Sequence, residues 1–475
     1  MKQVKIVATI GPKTNNQQSL IALRDAGMNI ARLNGSHSDF EWHEETIKLI
    51  RDTVPEIPIL LDMPGRKIRT GKLKKDVSFQ AGQNIILTTE PGHDGEIKIP
   101  LNSETIHTSL VVGDVILVDD ATLRFKVLEV KDRDIICQAA NSGTIRTAKG
   151  VNLPGIAYQS ELVSKRDKEL IEFACQNQVD FIGLSFVEST RQIDAVRRLI
   201  RGREVQIVSK IETQGGLNAL DDIAANSDVV MIDRGDLSAE TNLEHIALFQ
   251  KDIICKARQA ACPVIVATEM LHTMVHNLLP TKAEVSDITN AVLDGASAIM
   301  LSGETAIGQY PVEAVSLMRR VADATSEYMQ RDHTNETEMR SGSVPEAMGE
   351  AIEQICKHLG ITKIVAITIS GYAARRVAAR LTGHQILAVS NNPSAARRFN
   401  ILPGTKGLYV DIPFSRTNMD HVPRCLEILW RNGELQDEDL ILVTAVGYPK
   451  SGNRMNLIET HKVADLRISL NWEVA

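Results

Sequence analysis

Along the chain, short runs of apolar and β-branched residues alternate with longer stretches in which apolar residues recur every three or four positions. The first pattern predicts buried strands and the second amphipathic helices. Eight such runs can be read in order: "VKIVAT", "MNIARL", "PILLD", "FIGLSF", "VQIVSK", "VVMID", "PVIVAT" and "AIMLS". Between them lie segments such as "EWHEETIKLIRDTV", "STRQIDAVRRLIRG" and "HIALFQKDIICKARQAA". Eight strand-helix units are the count of a closed (β/α)8 TIM barrel, whose strands all deliver their carboxyl ends to one mouth.

Two segments break the rhythm. From Gly71 to Asn152 the text turns to short alternating strands, "DVSFQ", "QNIILTT", "GEIKIP", "DVILVDD", "LRFKVLEV" and "DIICQAA", punctuated by Gly, Asn and Asp. This predicts a small antiparallel β domain inserted after the third strand. After Tyr328 the polar stretch "QRDHTNETEMRSGSVPE" reads as a linker. Beyond it "KIVAITIS", "QILAVS" and "LILVTAV" alternate with helices as a second, smaller α/β domain. The expected organisation is barrel over 1–70, insert over 71–152, barrel again over 153–340, and a C-terminal domain over 341–475.

At 475 residues and 43% hydrophobic content the chain can bury more than one core. A net charge of -7 argues against nucleic acid as a partner, which needs a basic face. The six cysteines lie far apart with no CxxC pair, so neither a disulfide framework nor a zinc module is expected. With no signal-like segment and no run near the ~20 apolar residues of a membrane span, the expectation is a cytoplasmic protein with no membrane partner.

The candidate chemistry sits where strands end. Charged or hydroxyl residues close the runs: Thr9, Arg32 with Asn34 and Ser36, Asp62, Ser185, Lys210 with Glu212, Asp236, Thr268, and Ser302 with Glu304. In "QIVSKIETQGG" Lys210 and Glu212 share one strand parity and so one face. Glu212 and Asp236, from adjacent strand ends, make a two-carboxylate site suited to magnesium, which takes few protein oxygens and completes its octahedron with substrate and water. A plain strand-end salt bridge is the competing reading. "RGDLSAE" adds Gly235, which lets backbone amides approach an anion where a helix begins. Metal, lysine and amides together suit an anionic, oxygen-rich substrate. His272 and His276, four residues apart, lack a third ligand and predict no metal site.

At these residues the sequence resembles the pyruvate kinase family. "TIGPKT", "ARLNGSHS", "KIRTG", "KGVNLPG", "SKIET", "RGDL", "ATEML", "TKAEVSDITNAVLDG" and "LSGETAIGQYPVEAV" fall in that family's order. The resemblance implies a TIM barrel, a β-barrel lid and a C-terminal α/β regulatory domain. The implied reaction is magnesium-dependent phosphoryl transfer from phosphoenolpyruvate to ADP, giving pyruvate and ATP, the last step of glycolysis. Carried over by motif, Glu212 and Asp236 hold magnesium, while Lys210 and Arg32 neutralise the phosphoryl group. The Gly235 and Asp236 amides bind the substrate carboxylate. Thr268 and Ser302 place a water or relay a proton to the enolate carbon. His37, Arg69 and Arg166 lie beside the nucleotide. The family implies a homotetramer.

Departures from the family pattern matter as well. Potassium-using relatives carry Asp-Thr-Lys-Gly-Pro-Glu-Ile-Arg at the third strand end, whereas this chain has Met63 and Lys67 in place of the Thr and Glu. An ammonium can replace a monovalent cation among Asn34, Ser36 and Asp62, so activity without potassium is expected. Pro64 and Arg66 replace the usual Lys and Pro. Asp233 and Ser238 replace an Ala and a Gly in the substrate loop. In the C-terminal domain Thr368, Ser370 and Gly371 match a loop that binds phosphorylated activators, with Arg375, Arg376, Arg397 and Arg398 as a basic supply, so an anionic allosteric effector is expected. Two other readings stand beside the kinase: a barrel lyase or aldolase sharing the carboxylate pair, and a regulatory protein that binds metabolites without turnover.

Overall fold

The structure, a computed structural model, describes residues 3–65, 67–119, 121–156, 161–332, 343–414, 419–446 and 455–472. The eight anticipated runs form eight parallel strands, Lys5–Thr9, Ile30–Asn34, Ile59–Asp62, Phe181–Leu184, Gln206–Ile211, Val229–Asp233, Val264–Ala267 and Ala298–Leu301. They close into a barrel, the first strand pairing with the last from Lys5↔Ala298 to Ala8↔Leu301. Strand alternation decides what each side chain meets. Ile6, Ala31, Leu61, Ile182 and Ile232 pack against the surrounding helices, whereas Val7, Ile30, Leu60, Phe181 and Met231 fall in a separate buried cluster at the barrel axis. Continuing the inward parity to the strand ends brings Thr9, Arg32, Asp62, Ser185, Lys210, Glu212 and Asp233 to the mouth.

The chain leaves the third strand and enters the insert through Ile68–Arg69, then returns through Gly150–Asn152, and these two segments pair antiparallel as a stem. The insert is a seven-stranded sheet plus a separate two-stranded ribbon. Its two ends meet at a single bridge, Thr70↔Leu101, which rolls the sheet into a small barrel. The run "GEIKIP" shrinks to a strand of two residues, Ile99–Pro100, because its charged first half lies at the surface.

The C-terminal sheet has five strands in the order Thr405–Tyr409, Gln385–Ser390, Lys363–Ile367, Leu440–Ala445, Leu457–Lys462. The three apolar runs form its centre. The two edge strands were not legible as strands, since "TKGLY" and "LIETHK" are largely solvent-facing and carry no buried run. The expected linker begins later than its polarity suggested: one helix runs unbroken over Pro311–Asp332, and residues 333–342 lie outside the described residues, as does Arg66.

The arginines anticipated as a basic supply for an effector are instead paired with carboxylates. Arg375 meets Asp228 at 3.6 Å, Arg397 meets Asp180 at 3.0 Å and Arg398 meets Glu204 at 3.8 Å, all three joining the C-terminal domain to the barrel. Arg376 meets Glu346 at 3.6 Å within its own domain. Among the described residues no helix is long and apolar enough to cross a membrane.

Candidate active site

At the barrel mouth Lys210 is the centre of a charge cluster. Its Nζ lies 2.7 Å from Glu212 Oε1, 3.2 Å from Asp233 Oδ2 and 3.6 Å from Asp62 Oδ2, and donates to Ser185 Oγ at 3.1 Å. Burial alone would favour the neutral amine, but the carboxylates of Asp62, Glu212, Asp233 and Asp236 outweigh it and hold the Lys210 pKa well above the ordinary lysine value. Asp62 is fixed from the other side. Arg32 Nε and Nη2 donate to Asp62 Oδ2 at 3.0 and 2.7 Å, and Nη1 donates to Thr9 Oγ1 at 3.0 Å. Gly183 leaves Asp62 this room, since a Cβ there would stand 2.6 Å from Oδ1.

Glu212 accepts from the Phe186 amide at 2.7 Å through Oε2. Carboxylate oxygens of Glu212, Asp233 and Asp236 lie within 4.8 Å of one another. Burial pushes the Glu212 carboxyl up against the pull of Lys210, and it also raises Asp236, with Asp233 adding to the effect and Lys67 opposing it. Asp233 goes the other way: burial would raise it, and the ammonium of Lys210 more than offsets this. A set of three hard oxygen donors, two of them reluctant to ionise without a further cation, fits a divalent ion such as magnesium.

Lys67, from the segment entering the lid, forms an ion pair with Asp236. Its stem passes over Gly150 of the return segment, where a Cβ would stand 2.7 Å from Lys67 Cε. The return segment holds the same short helix, Arg234–Glu240, at its far end: Asn152 Nδ2 donates to Glu240 Oε1 at 2.8 Å. An open cleft between lid and barrel is lined by Lys67, Asn152, Phe186, Glu188, Thr213 and Glu240.

The amide of Gly235 donates to Thr268 Oγ1 at 2.9 Å. Thr268 and Glu269 have φ of 68° and 56°, costly for side chains with a Cβ. Arg234 holds this turn, donating from Nη2 to the Thr268 carbonyl at 2.7 Å and from Nη1 to Asp287 at 2.8 Å.

The structure therefore brings together Arg32, Asp62, Lys67, Lys210, Glu212, Asp236, Gly235 and Thr268. Other expected residues lie apart from this cluster's contacts. The Ser302 amide donates to Glu304 Oε2 at 2.8 Å, and the Asn34 side chain accepts from the exposed Ser36 amide at 3.1 Å. The Lys67 ammonium thus reaches Asp236 instead of the Asn34–Ser36 turn. His37 is exposed, Arg69 Nη1 donates to the Ala148 carbonyl at 3.2 Å, and Arg166 lies 4.3 Å over the Phe40 ring. In the C-terminal domain Thr368 Oγ1 accepts from the Gly371 amide at 3.0 Å, while Ser370 is exposed. Sequence reasoning put Asp233 near the site only as an extra carboxylate of the substrate loop, and left Arg234, Asn152 and Glu240 out. Strand parity with Met231 would have found Asp233, but nothing local marks the other three.

Comparison with known proteins agrees with this geometry. A family model for the pyruvate kinase barrel domain matches residues 1–315, and one for the pyruvate kinase alpha/beta domain matches residues 346–461. The chain is 34% identical over 484 residues to a pyruvate kinase of Bacillus licheniformis, covering 98% of this chain and 81% of that protein. It is 33% identical over 475 residues to a pyruvate kinase of Thermococcus litoralis, covering 96% and 98%. Among solved structures, a pyruvate kinase from Cryptosporidium parvum superposes with a TM-score of 0.87 at 32% identity, covering 97% of this chain and 96% of that one.

Proposed function

The chain belongs to the pyruvate kinase family, and we propose how its own residues carry the transfer of a phosphoryl group from phosphoenolpyruvate to ADP. Phosphoryl transfer requires little covalent help from protein and much placement of charge. Lys210 supplies the central cation, neutralising the phosphoryl oxygens in flight, and Arg32 supplies the second. The observation that carries this is the Lys210 ammonium, buried yet kept charged among Asp62, Glu212 and Asp233. Glu212 and Asp236 would hold magnesium, with a second ion arriving on the nucleotide, and the chemistry it supplies when bound is neutralisation of phosphate oxygens.

The amides of Gly235 and Asp236 bind the substrate carboxylate. The Gly235 N–H exchanges its 2.9 Å bond to Thr268 Oγ1 for one to that carboxylate, which frees an acceptor position on the Thr268 oxygen while its hydroxyl still donates to the Ala267 carbonyl at 2.6 Å. Thr268, with Ser302, then places a water or passes a proton to the enolate carbon. His37 and Arg69 line the lid side of the nucleotide, with Arg166 behind them. Asn34, Ser36 and Asp62 would outline the place of a monovalent cation, and Lys67 supplies a positive charge from the chain itself, at Asp236 and not in that turn. The Lys67 contact with Asp236 supports transfer without potassium, because the ammonium already lies against the carboxylates.

The domain boundaries near residues 70, 152 and 340, a homotetramer, a cytoplasmic location and a phosphorylated effector at Thr368, Ser370 and Gly371 complete the reading. With Arg375, Arg376, Arg397 and Arg398 paired to carboxylates, the effector's phosphate would rely on that loop's hydroxyls and amides. The test is pyruvate formation from phosphoenolpyruvate, ADP and magnesium, without potassium and with it. Full turnover in potassium-free buffer is expected. Turnover only with potassium would overturn the role of Lys67, and none in either buffer from folded protein would overturn the assignment of Lys210 and its neighbours.

A further inference from the structure

The transfer as derived uses Asp233 only as a counterion of Lys210. This residue ends the sixth barrel strand immediately before the Arg234–Glu240 helix and is only 7% exposed. Its Oδ2 lies 3.2 Å from Lys210 Nζ, and one of its oxygens lies within 4.8 Å of oxygens of both Glu212 and Asp236.

Counting formal charges gives the carboxylate a role. Among the described residues the cluster around Lys210 holds three cations, Arg32, Lys67 and Lys210, against four carboxylates, Asp62, Glu212, Asp233 and Asp236. Asp62 is held by Arg32, and Lys67 takes up the charge of Asp236. Without a carboxylate at position 233, these cations and carboxylates would balance and the pair Glu212 and Asp236 would face a dication with its charge already spent. Asp233 adds one formal negative charge, on a side chain 3.2 Å from the Lys210 ammonium and within reach of the other two carboxylates. Hard dications prefer carboxylate oxygens and bind more tightly as ligand charge rises.

We propose that Asp233 is a third carboxylate of the divalent-metal centre, compensating for the charge that Lys67 cancels on Asp236, so that this chain binds its dication firmly before substrate arrives. The inference rests on the reading of Glu212 and Asp236 as the metal pair. The test is titration of the full-length protein with Mn2+ in the absence of substrate, with free Mn2+ followed by electron paramagnetic resonance. The wild type is compared with Asp233→Ala, Asp233→Asn and Glu212→Gln, each checked for fold by circular dichroism.

A tenfold or greater weakening of Mn2+ binding in both Asp233 variants, with near-complete loss in Glu212→Gln, is the expected result. Wild-type affinity in the Asp233 variants with loss in Glu212→Gln would overturn the third-carboxylate role and leave the metal pair standing. Wild-type affinity in Glu212→Gln would overturn both. Should Asp233→Ala fail to fold, Asp233→Asn keeps the size and the contact with Lys210 while removing the charge, and decides the matter alone.

Discussion

Gly150→Ala gives a steric test of the internal cation that leaves every charged residue in place. Gly150 lies on the strand returning from the lid, and its conformation does not require glycine, because its φ is not positive. A Cβ there would stand 2.7 Å from Lys67 Cε, 3.3 Å from Nζ and 3.9 Å from Cδ. The first of these is closer than carbon atoms pack, so the end of the lysine side chain must shift, and the prediction is that this pulls its ammonium off Asp236. Both side chains of that pair are largely buried, at 14% and 16% exposure, so solvent screens the loss only partly. A hydrogen bond to a charged group is worth about 1.5–3 kcal/mol, which converts to roughly a ten- to hundredfold fall in kcat/KM. The assay is steady-state pyruvate formation in potassium-free buffer, with Gly360→Ala as control, since a Cβ at Gly360 meets nothing within 4 Å. Wild-type kcat/KM in Gly150→Ala, with the control also unaffected, would show that the ammonium need not sit on Asp236 and would refute the reasoning.

Lys210→Met should lower kcat by about 3–4 kcal/mol of transition-state stabilisation, a hundred- to a thousandfold, and single-turnover kinetics would show whether the loss lies in the chemical step. Asp180 is fully buried and accepts from Arg51 at 2.6 Å, from the Ile59 amide at 2.8 Å and from Arg397 at 3.0 Å, so it pins the barrel to the C-terminal domain. Asp180→Ala should cost about 3–5 kcal/mol, read as a shift of the urea midpoint, and a shift worth less than about 1 kcal/mol would contradict that role. Burial raises the Glu240 carboxyl, with the bond from Asn152 only partly opposing it. The folded state therefore holds this proton longer than the unfolded state, so the stability contribution is whole below the unfolded value of ~4.3 and is lost as pH rises through the higher folded value. Glu240→Gln cannot ionise, and its Tm advantage over wild type should grow from pH 4 to pH 8; an advantage that is flat or shrinks with pH would refute the assignment.

The sequence by itself determined whatever depends on spacing within one element. The eight apolar runs predict eight strands, and period-two alternation states which residues of each run face inward. Lys210 and Glu212 could be placed on one face, and Arg32 and Asp62 at neighbouring strand ends, without coordinates. Turn chemistry and alternation likewise exposed the insert after the third strand. The tertiary structure decided which of these charges meet, because an ion pair depends on the register of strands and the crossing of segments far apart in the chain. Lys67 and Asp236 are 169 positions apart, and no local pattern says that the lid's entering segment brings the ammonium to that carboxylate instead of to Asn34 and Ser36. Asp233 looked like a departure in a loop until strand closure put it beside Lys210. The arginines of the C-terminal helices read as a basic supply for an effector because the sequence does not show Asp180, Glu204 and Asp228 waiting on the barrel. Periodicity constrains faces, but partners follow only from closure of the barrel and docking of the domains.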